Sequence, residues 1–217
     1  MDRKSIAYDY LKQKIVDNEF LPGSPIRESD VAGTLNMSRA PVREALRELE
    51  MEGVVVSYPS RGSFVSAITP YDVEEIYELR MLLEVWALEK GFSRITTEDL
   101  DRFEMDFNAP NEPFNWEFYH DTDRAFHQMI IDKSGSRRVA MFMTMLNAQV
   151  ERVRRFSARD SGRGSQERTA EHLHIIECIR SGDLEVSKEA LCFHLRNVAN
   201  SAIEAWKMMD YQTHSRR

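Results

Sequence analysis

Apolar residues recur at helical spacing along most of the chain, in segments separated by short polar turns. Near the N-terminus this pattern predicts three helices, at residues 8–16, 28–35 and 39–51, with a Pro-Gly turn after the first. The second and third helices are joined by only a few residues around Asn36. Three helices with a tight connection between the last two are typical of a helix-turn-helix.

After these helices the chain changes to β-branched and aromatic side chains. The valines at 54–56 lie on one side of a polar Ser-Arg-Gly tip, and the apolar pair at 64–65 lies on the other. This arrangement predicts a two-stranded hairpin, or wing, with Arg61 and Gly62 at its tip. A glycine there permits close approach to a nucleic-acid backbone or minor groove.

From residue 70 onward the apolar pattern is helical, with no convincing strand. An all-helical bundle of about six helices is the natural way to bury so many amphipathic helices. The predicted fold class is therefore mainly α, with a winged helix-turn-helix at residues 1–66, a linker at 67–69 and an all-helical domain at 70–217. The predicted helices of this second domain span residues 70–91, 97–107, 116–133, 137–159, 165–181 and 184–211.

The third predicted helix begins at a cap and has one apolar face. Ser38 is a favourable N-cap, whose side-chain oxygen can accept a hydrogen bond from a free N–H of the first turn. Pro41 fits that turn because its missing amide proton would have had no partner within the helix. The predicted buried stripe comprises Val42, Ala45, Leu46, Leu49 and Met51.

Arginines occupy the opposite face of the same helix. Arg39, Arg43 and Arg47 follow one another at intervals of four residues and so share one exposed ridge. An arginine can read guanine with two parallel hydrogen bonds, and a helix N-terminus favours a phosphate. The pattern fits DNA recognition or, alternatively, a solvated face where the arginines pair with the glutamates at 44, 48 and 50.

The overall charge confines any nucleic-acid contact to a local patch, because the formal net charge is -7. Two cysteines, Cys178 and Cys192, without metal-knuckle spacing predict neither a disulfide framework nor a zinc ribbon. No apolar run approaches membrane-spanning length, and the N-terminus lacks the apolar region of a secretion signal. We expect a cytoplasmic protein without a membrane partner.

Four residues of the second domain form a candidate metal site. Asp123 and His127 lie four residues apart, so one helix face carries both, and His172 and His194 fall on two later helices. If the bundle brings them together, three imidazoles and one carboxylate would suit zinc, nickel, iron(II) or manganese. The alternative is that these histidines are ordinary surface or core residues.

A set of residues in the first region occurs in an order typical of one known family. They are Leu21-Pro22-Gly23, Glu28, Ala32, Ser38-Arg39, Pro41 to Leu46, Leu49-Glu50, Gly53, Gly62 and Phe64-Val65. With this order the region resembles the winged-helix domain of GntR-family bacterial transcription regulators. The resemblance implies DNA contacts by Ser38, Arg39, Ala40 and Arg43 of the recognition helix and by Arg61 and Gly62 of the wing. Many relatives carry an arginine where this chain has Ser29, and Arg27 is the candidate substitute.

The second region resembles the FCD domain, the helical effector domain of the FadR branch of that family. In metal-binding members, an aspartate and three histidines at the places of Asp123, His127, His172 and His194 hold a divalent ion, and an organic acid often binds beside it. This chain has Ser136 where relatives commonly have asparagine. The matching pieces are Asp72 to Glu84, Asp123 to His127 with Ser134-Gly135, Glu171-His172 with Gly182-Asp183, and His194.

A carboxylate effector needs a cationic anchor or a metal, with polar groups on a mostly apolar wall. Arg80, on the first helix of the domain, is the candidate anchor; the alternative is an ion pair with Glu84, four residues along the same helix. His120 shares the helix face of Asp123 and His127, so it either lines the same cavity or lies on the surface.

These predictions together describe a metabolite-responsive regulator that binds a palindromic DNA operator as a homodimer. As in its relatives, we expect a repressor whose DNA binding is altered by a small carboxylate effector. A competing class is a metal-dependent enzyme, either a non-haem iron oxygenase or a hydrolase. Against it, no general base or nucleophile accompanies the candidate ligands. A third possibility is a DNA-binding dimer without an effector.

Overall fold

Two clusters of buried apolar side chains organise the chain. The structure, a computed structural model, describes residues 2–109, 115–157 and 163–214. One cluster is built from residues 7–65 and the other from residues 73–203. A single residue of the second region, Ala148, packs within the first cluster, so the two regions are in direct contact.

The N-terminal region is a helix-turn-helix with a small antiparallel sheet. The sheet has three strands in the order β1-β3-β2, whereas the sequence predicted only two. The additional strand pairs Pro25 with Phe64 and Ile26 with Ser63, and its two residues are too few to give an alternating pattern. The elements are α1 (Arg3–Val16), β1 (Pro25–Ile26), α2 (Glu28–Thr34), α3 (Arg39–Met51), β2 (Val55–Tyr58) and β3 (Gly62–Val65).

Helix α3 buries four of the five residues predicted for its apolar stripe. The prediction was wrong for Met51, which is 71% exposed. Met51 follows Leu49 by two residues, which is about 200° around a helix, and so it faces away from the stripe. The remaining apolar side chains hold α3 against α1 and α2 and leave its arginine ridge in solvent.

The second region is helical throughout its described residues. Helix bounds agree with the sequence prediction to within about three residues, and residues 158 and 159, predicted as helical, lie outside the described residues. Cys178 and Cys192 are free thiols. The helices are α4 (Pro70–Gly91), α5 (Thr97–Phe107), α6 (Trp116–Ser134), α7 (Arg137–Ser157), α8 (Arg163–Arg180) and α9 (Leu184–His214), with one 3-10 turn at Phe92–Arg94.

Helix α4 is central, because it packs against α6, α7 and α9. Its last residue, Gly91, lies directly against α6: a β-carbon there would be 2.7 Å from the carbonyl carbon of Lys133. This close approach places the buried side chains of α4 beside those of α6 in the domain interior.

Candidate metal centre and DNA-binding face

Three helices bring the four predicted metal ligands to one point. Asp123 and His127 come from α6, His172 from α8 and His194 from α9, and all four side chains are buried. One ligand atom from each residue lies within 4.8 Å of the others. We call these four residues the tetrad.

Each imidazole of the tetrad uses Nδ1 for an acceptor outside it. Nε2 is therefore left for the interior, and in all three rings it is buried without a hydrogen-bond partner. A proton on Nδ1 leaves the lone pair on Nε2, which is the form that binds a metal. The acceptors are Glu84 Oε2 at 2.5 Å from His127, the Arg168 carbonyl oxygen at 2.8 Å from His172, and Glu171 Oε2 at 2.8 Å from His194.

The carboxylate of the tetrad is oriented by a buried arginine. Arg154 on α7 places Nη2 2.8 Å from Asp123 Oδ2, and its Nη1 donates to Glu151 at 2.9 Å. Burial by itself would raise the pKa of Asp123, but the Arg154 charge and the neighbouring imidazoles hold it well below its usual range. The other oxygen, Oδ1, lies 3.0 Å from His172 Nε2 and 3.7 Å from His127 Nε2. The tetrad thus has an ionised carboxylate facing two imidazoles.

Burial also favours the neutral form of two of the histidines, His127 and His194. It lowers the pKa of His127 to about 4 and that of His194 well below its ordinary value, and the neighbouring histidines add to the effect at His194. Glu84 is buried too, which would raise its pKa, but Arg80 and His127 lower it to about 2. Three imidazoles and one carboxylate, each fixed by an outer partner, fit a divalent ion.

Sequence reasoning missed the outer partners of the tetrad. The sequence indicated Glu84 only as a partner of Arg80 and the end of a family motif, and Glu171 only as a family motif residue. Arg154 is buried and pairs with the tetrad carboxylate, Asp123. Nothing in the sequence around Arg154 distinguishes it from a surface arginine of a helix. Glu171 does have a local signal, because it directly precedes a ligand in the sequence Glu171-His172.

Arg80 forms the ion pair that was the alternative to an effector contact, with Nε 2.5 Å from Glu84 Oε1. The pair is in the interior, however, and Arg80 is only 1% exposed. Its Nη2 is buried without a hydrogen-bond partner, so one donor remains available. Because Glu84 also holds His127, Arg80 is connected to the tetrad through a single carboxylate.

His120 lies away from the tetrad, in a cleft between the two regions. It stacks on Trp116 with ring centroids 5.7 Å apart, and burial lowers its pKa. The cleft has a volume of about 470 Å³ and is also lined by Gln13 of α1, by Asp17, which follows that helix, and by Arg155 of α7. His120 as an effector contact stays a prediction.

The predicted DNA contacts form an exposed surface at the other end of the chain. The structure places every one of them in solvent, on the start of α2, the start of α3 and the wing tip. We call this surface the DNA-binding face, after the contacts predicted for it; it comprises Arg27, Ser38, Arg39, Ala40, Arg43, Arg61 and Gly62.

On this face, Glu48 and Glu50 of α3 interact with partners other than the arginines of the ridge. Glu48 pairs with Lys4, and Glu50 accepts a hydrogen bond from the Ser57 amide. Arg43 instead pairs with Glu28 of α2, donating from Nε at 2.9 Å and from Nη2 at 2.8 Å. The ridge is thus not the self-paired helix surface considered as an alternative.

Ser38 occupies the N-cap position of α3 but forms no capping hydrogen bond with its side chain. The prediction of a side-chain cap was therefore wrong. A cap satisfies a first-turn N–H that would otherwise bond water or a ligand. Without it, both the hydroxyl and the first-turn N–H groups are available at an exposed helix N-terminus.

At the wing tip, Arg61 lies 5.7 Å from the ring centroids of both Tyr58 and Phe64. These contacts hold the guanidinium on the tip of the hairpin. Gly62 has φ +88°, a conformation that strongly favours glycine. The turn therefore needs this glycine, and it sets where Arg61 lies.

Family models match both the N-terminal region and the second, helical region of the chain. Residues 4–65 match the family model for bacterial regulatory proteins of the gntR family, and residues 75–197 match that for the FCD domain. The chain belongs to the GntR family. It is a transcription regulator with a DNA-binding helix-turn-helix and an FCD domain.

Relatives of this GntR regulator span most of its length. The HTH-type transcriptional repressor RspR of Escherichia coli is 27% identical over 197 residues, which are 89% of this chain and 86% of RspR. A GntR regulator from Rhodococcus sp. RHA1 has the same fold, with a TM-score of 0.75 at 22% identity over 94% of this chain and 99% of that one.

A third similar protein is informative about the second region alone. The Zn²⁺-bound FCD domain of the regulator TM0439 is 26% identical, with a TM-score of 0.57, and it covers 64% of this chain and 96% of its own. Among the residues that the structure describes here, no helix combines the length and the apolar character needed to cross a membrane.

Proposed function

We propose that this regulator binds one divalent metal ion through the tetrad and a small organic acid beside it, and that the acid alters operator binding by a homodimeric repressor. Residues 1–66 would contact DNA, residues 67–69 would link them, and residues 70–217 would hold the metal, the effector and the dimer interface. The observation that carries the proposal is that ligand atoms of Asp123, His127, His172 and His194 lie within 4.8 Å of one another, with all three Nε2 atoms buried.

A metal explains these atoms better than a purely structural role. Buried polar atoms without a partner are costly, and three in one place are unexpected in a core that exists only for packing. Zinc in the FCD domain of TM0439 supports the same interpretation. Nitrogen and oxygen donors suit zinc, nickel, iron(II) and manganese, so the ion in the cell is left to experiment.

Arg80 is the proposed anchor for the effector carboxylate. Its free Nη2 is a buried donor, and the ion pair with Glu84 fixes the guanidinium without using that atom. A charge-assisted hydrogen bond in a buried site favours an anion strongly. An acid that bound Arg80 and the metal together would be recognised at two points.

Dimerisation is supported by an apolar surface on two adjacent helices. Leu79, Leu82 and Trp86 of α4 are 48%, 70% and 42% exposed. Exposed apolar side chains clustered on one helix face often mark a contact with another protein. A two-fold axis there would present two recognition helices to the half-sites of a palindrome. The neighbouring helix α7 adds exposed Met141, Phe142 and Met145.

Metal content of protein purified without an affinity tag tests the proposal. We expect about one ion per chain in the wild type and almost none in His127→Ala or His194→Ala. His174→Ala is the matched control, because His174 lies on α8 near His172 but is exposed and outside the tetrad. It should retain the ion.

Metal-loaded protein would then be screened with organic acids for release from DNA. The DNA would be an operator selected from a random library, and the Arg80→Ala variant would be the comparison. A wild type that takes up no ion, even after reconstitution with zinc, nickel or manganese, would overturn the metal site. Turnover of an acid would instead favour the enzyme alternative, which the names of the relatives do not support.

A further inference from the structure

One face of α7 is bonded to the DNA-binding region. This face carries Ala148, Gln149, Arg152 and Arg155, which are spaced by about one helical turn or less. Ala148 is fully buried in the core of the N-terminal region. Arg155 pairs with Asp17 at the end of α1. The face therefore combines an apolar contact with polar contacts at defined atoms.

Gln149 binds the end of the recognition helix. Its Nε2 donates to the backbone carbonyl oxygen of Glu52, the residue that closes α3, at 2.9 Å. The next residue, Gly53, has φ +73°, and a β-carbon there would lie 2.7 Å from the same Nε2. The helix thus ends on a glycine that lets the glutamine approach, and the contact fixes one end of α3.

Arg152 binds the exit of the wing. It donates from Nη2 to the Ser66 carbonyl oxygen at 2.7 Å and from Nη1 to Ser66 Oγ at 3.0 Å. Ser66 Oγ in turn donates to the Gly53 carbonyl oxygen at 2.7 Å. Burying a guanidinium costs free energy, and burial lowers the pKa of Arg152 to about 10. Such a residue fixes the geometry of a junction more than it stabilises the fold.

The opposite face of α7 contacts the tetrad through Arg154 and Asp123. One helix therefore holds a metal ligand on one side and the recognition helix on the other. The polar contacts to the N-terminal region are made by side chains only one to two turns apart on a single rigid element. Motion of α3 relative to the FCD domain would have to break them.

We infer that Gln149 and Arg152 are positioning residues for operator recognition, which fix α3 on the FCD domain and so set the distance and angle between the two recognition helices of a dimer. The inference rests on the proposed dimer. Two DNA-binding domains held rigidly in a dimer bind one half-site spacing, because both recognition helices must reach the major groove on matching faces of the duplex. Two loosely held DNA-binding domains bind several spacings with similar affinity.

The test measures binding of the full-length protein to the selected operator and to versions with the central spacer changed by one or two base pairs. A change of two base pairs turns one half-site by about 70° relative to the other. When the spacer is changed by two base pairs, we expect the operator affinity of the wild type to fall about tenfold or more. The affinity of the double variant Gln149→Ala/Arg152→Ala should fall less than about threefold. Affinity for an isolated half-site should be equal in both proteins.

Two further variants keep the test decisive. Ser66→Ala removes one of the Arg152 bonds and the Ser66 bond to the Gly53 carbonyl oxygen, without emptying a buried site. It should flatten the spacing profile partly. Gln128→Ala removes the same kind of side chain from α6, where it donates to Asp132 of its own helix, and should keep the wild-type profile. A folded, dimeric double variant with an unchanged profile would overturn the inference.

Failure of the inference and failure of the proposed function are separable. Light scattering reports the dimer and mass spectrometry the metal, so a monomeric wild type would refute the dimer before any spacing is measured. A general loss of affinity at every spacing and at the half-site would indicate damage to the fold. That result would contradict a positioning role.

Discussion

Two arginine–carboxylate pairs in this regulator have the same length and opposite environments. Arg154 and Asp123 lie 2.8 Å apart beside the tetrad, each 7% exposed by its side chain. Arg43 and Glu28 also lie 2.8 Å apart on the DNA-binding face, where the side chains are 55% and 28% exposed. Distance alone would rank the two contacts equally.

The environment decides what each pair can do. A buried pair that loses one partner leaves a charge in a poorly polarisable interior, whereas water replaces the lost partner of an exposed pair. The interior pair is therefore suited to fixing geometry, and the surface pair to exchange. Arg43 can leave Glu28 for DNA at little cost, while Arg154 keeps the tetrad carboxylate in one orientation.

The largest effect should come from breaking the buried pair. In metal-free protein, Asp123→Ala leaves Arg154 buried without one of its carboxylate partners, and we expect the free energy of unfolding to fall by about 3 kcal/mol. Urea unfolding followed by circular dichroism measures this change. Glu28→Gln is the matched surface control and should leave the free energy of unfolding close to that of the wild type.

That comparison would fail if both substitutions destabilised the protein equally. Such a result would mean that water reaches Arg154 in solution. Asp123→Asn distinguishes loss of charge from loss of shape, because the amide keeps an oxygen acceptor for Arg154 but not the negative charge. We expect it to fall between the wild type and Asp123→Ala.

The next effect concerns the exposed pair and is seen in DNA binding instead of stability. Arg43→Ala should weaken binding to the selected operator by about 5- to 150-fold, which corresponds to the ~1 to 3 kcal/mol of an arginine that reads a base. Glu28→Gln releases Arg43 from its partner and removes a negative charge near the phosphates, so it should tighten binding a few-fold. Fluorescence anisotropy at fixed salt measures both.

Opposite signs for these two substitutions are the decisive result. If Glu28→Gln weakened binding as Arg43→Ala does, Glu28 would be holding Arg43 in its DNA-reading position. The surface pair would then be a preorganised part of the site, and its exchange for DNA would be refuted. Arg47→Ala, on the same ridge one turn further, shows how much of the loss reflects charge alone.

The contrast between buried and exposed polar groups also explains which parts of the structure the sequence could predict. Helical periodicity located α4 to α9 to within a few residues, because each helix buries a continuous stripe. The tetrad was predictable as a set of residue types on separate helices, but only packing could show that they meet. Sequence patterns do not record which polar groups are desolvated, so the buried roles of Glu84 and Arg154 were missed.

Two errors have local causes. β1 has only two residues, and its pairing with β3 depends on the fold of a distant segment. Ser38 has the residue type and the backbone of an N-cap, yet its hydroxyl does not cap the helix. Residue preferences describe what a position usually does, and a functional site can leave the usual interaction unmade.

The smallest effect tests that last point, through Ser38→Ala and Thr96→Ala. Thr96 caps α5 by accepting a hydrogen bond from the Asp99 amide, and Asp99 completes a capping box. Its loss should cost about 1 kcal/mol of stability and leave operator affinity unchanged. Ser38→Ala should cost less than about 0.5 kcal/mol, because no cap is lost, but it should weaken operator binding several-fold if the hydroxyl contacts a phosphate. Equal destabilisation by the two substitutions would show that Ser38 caps α3 in solution and is not reserved for DNA.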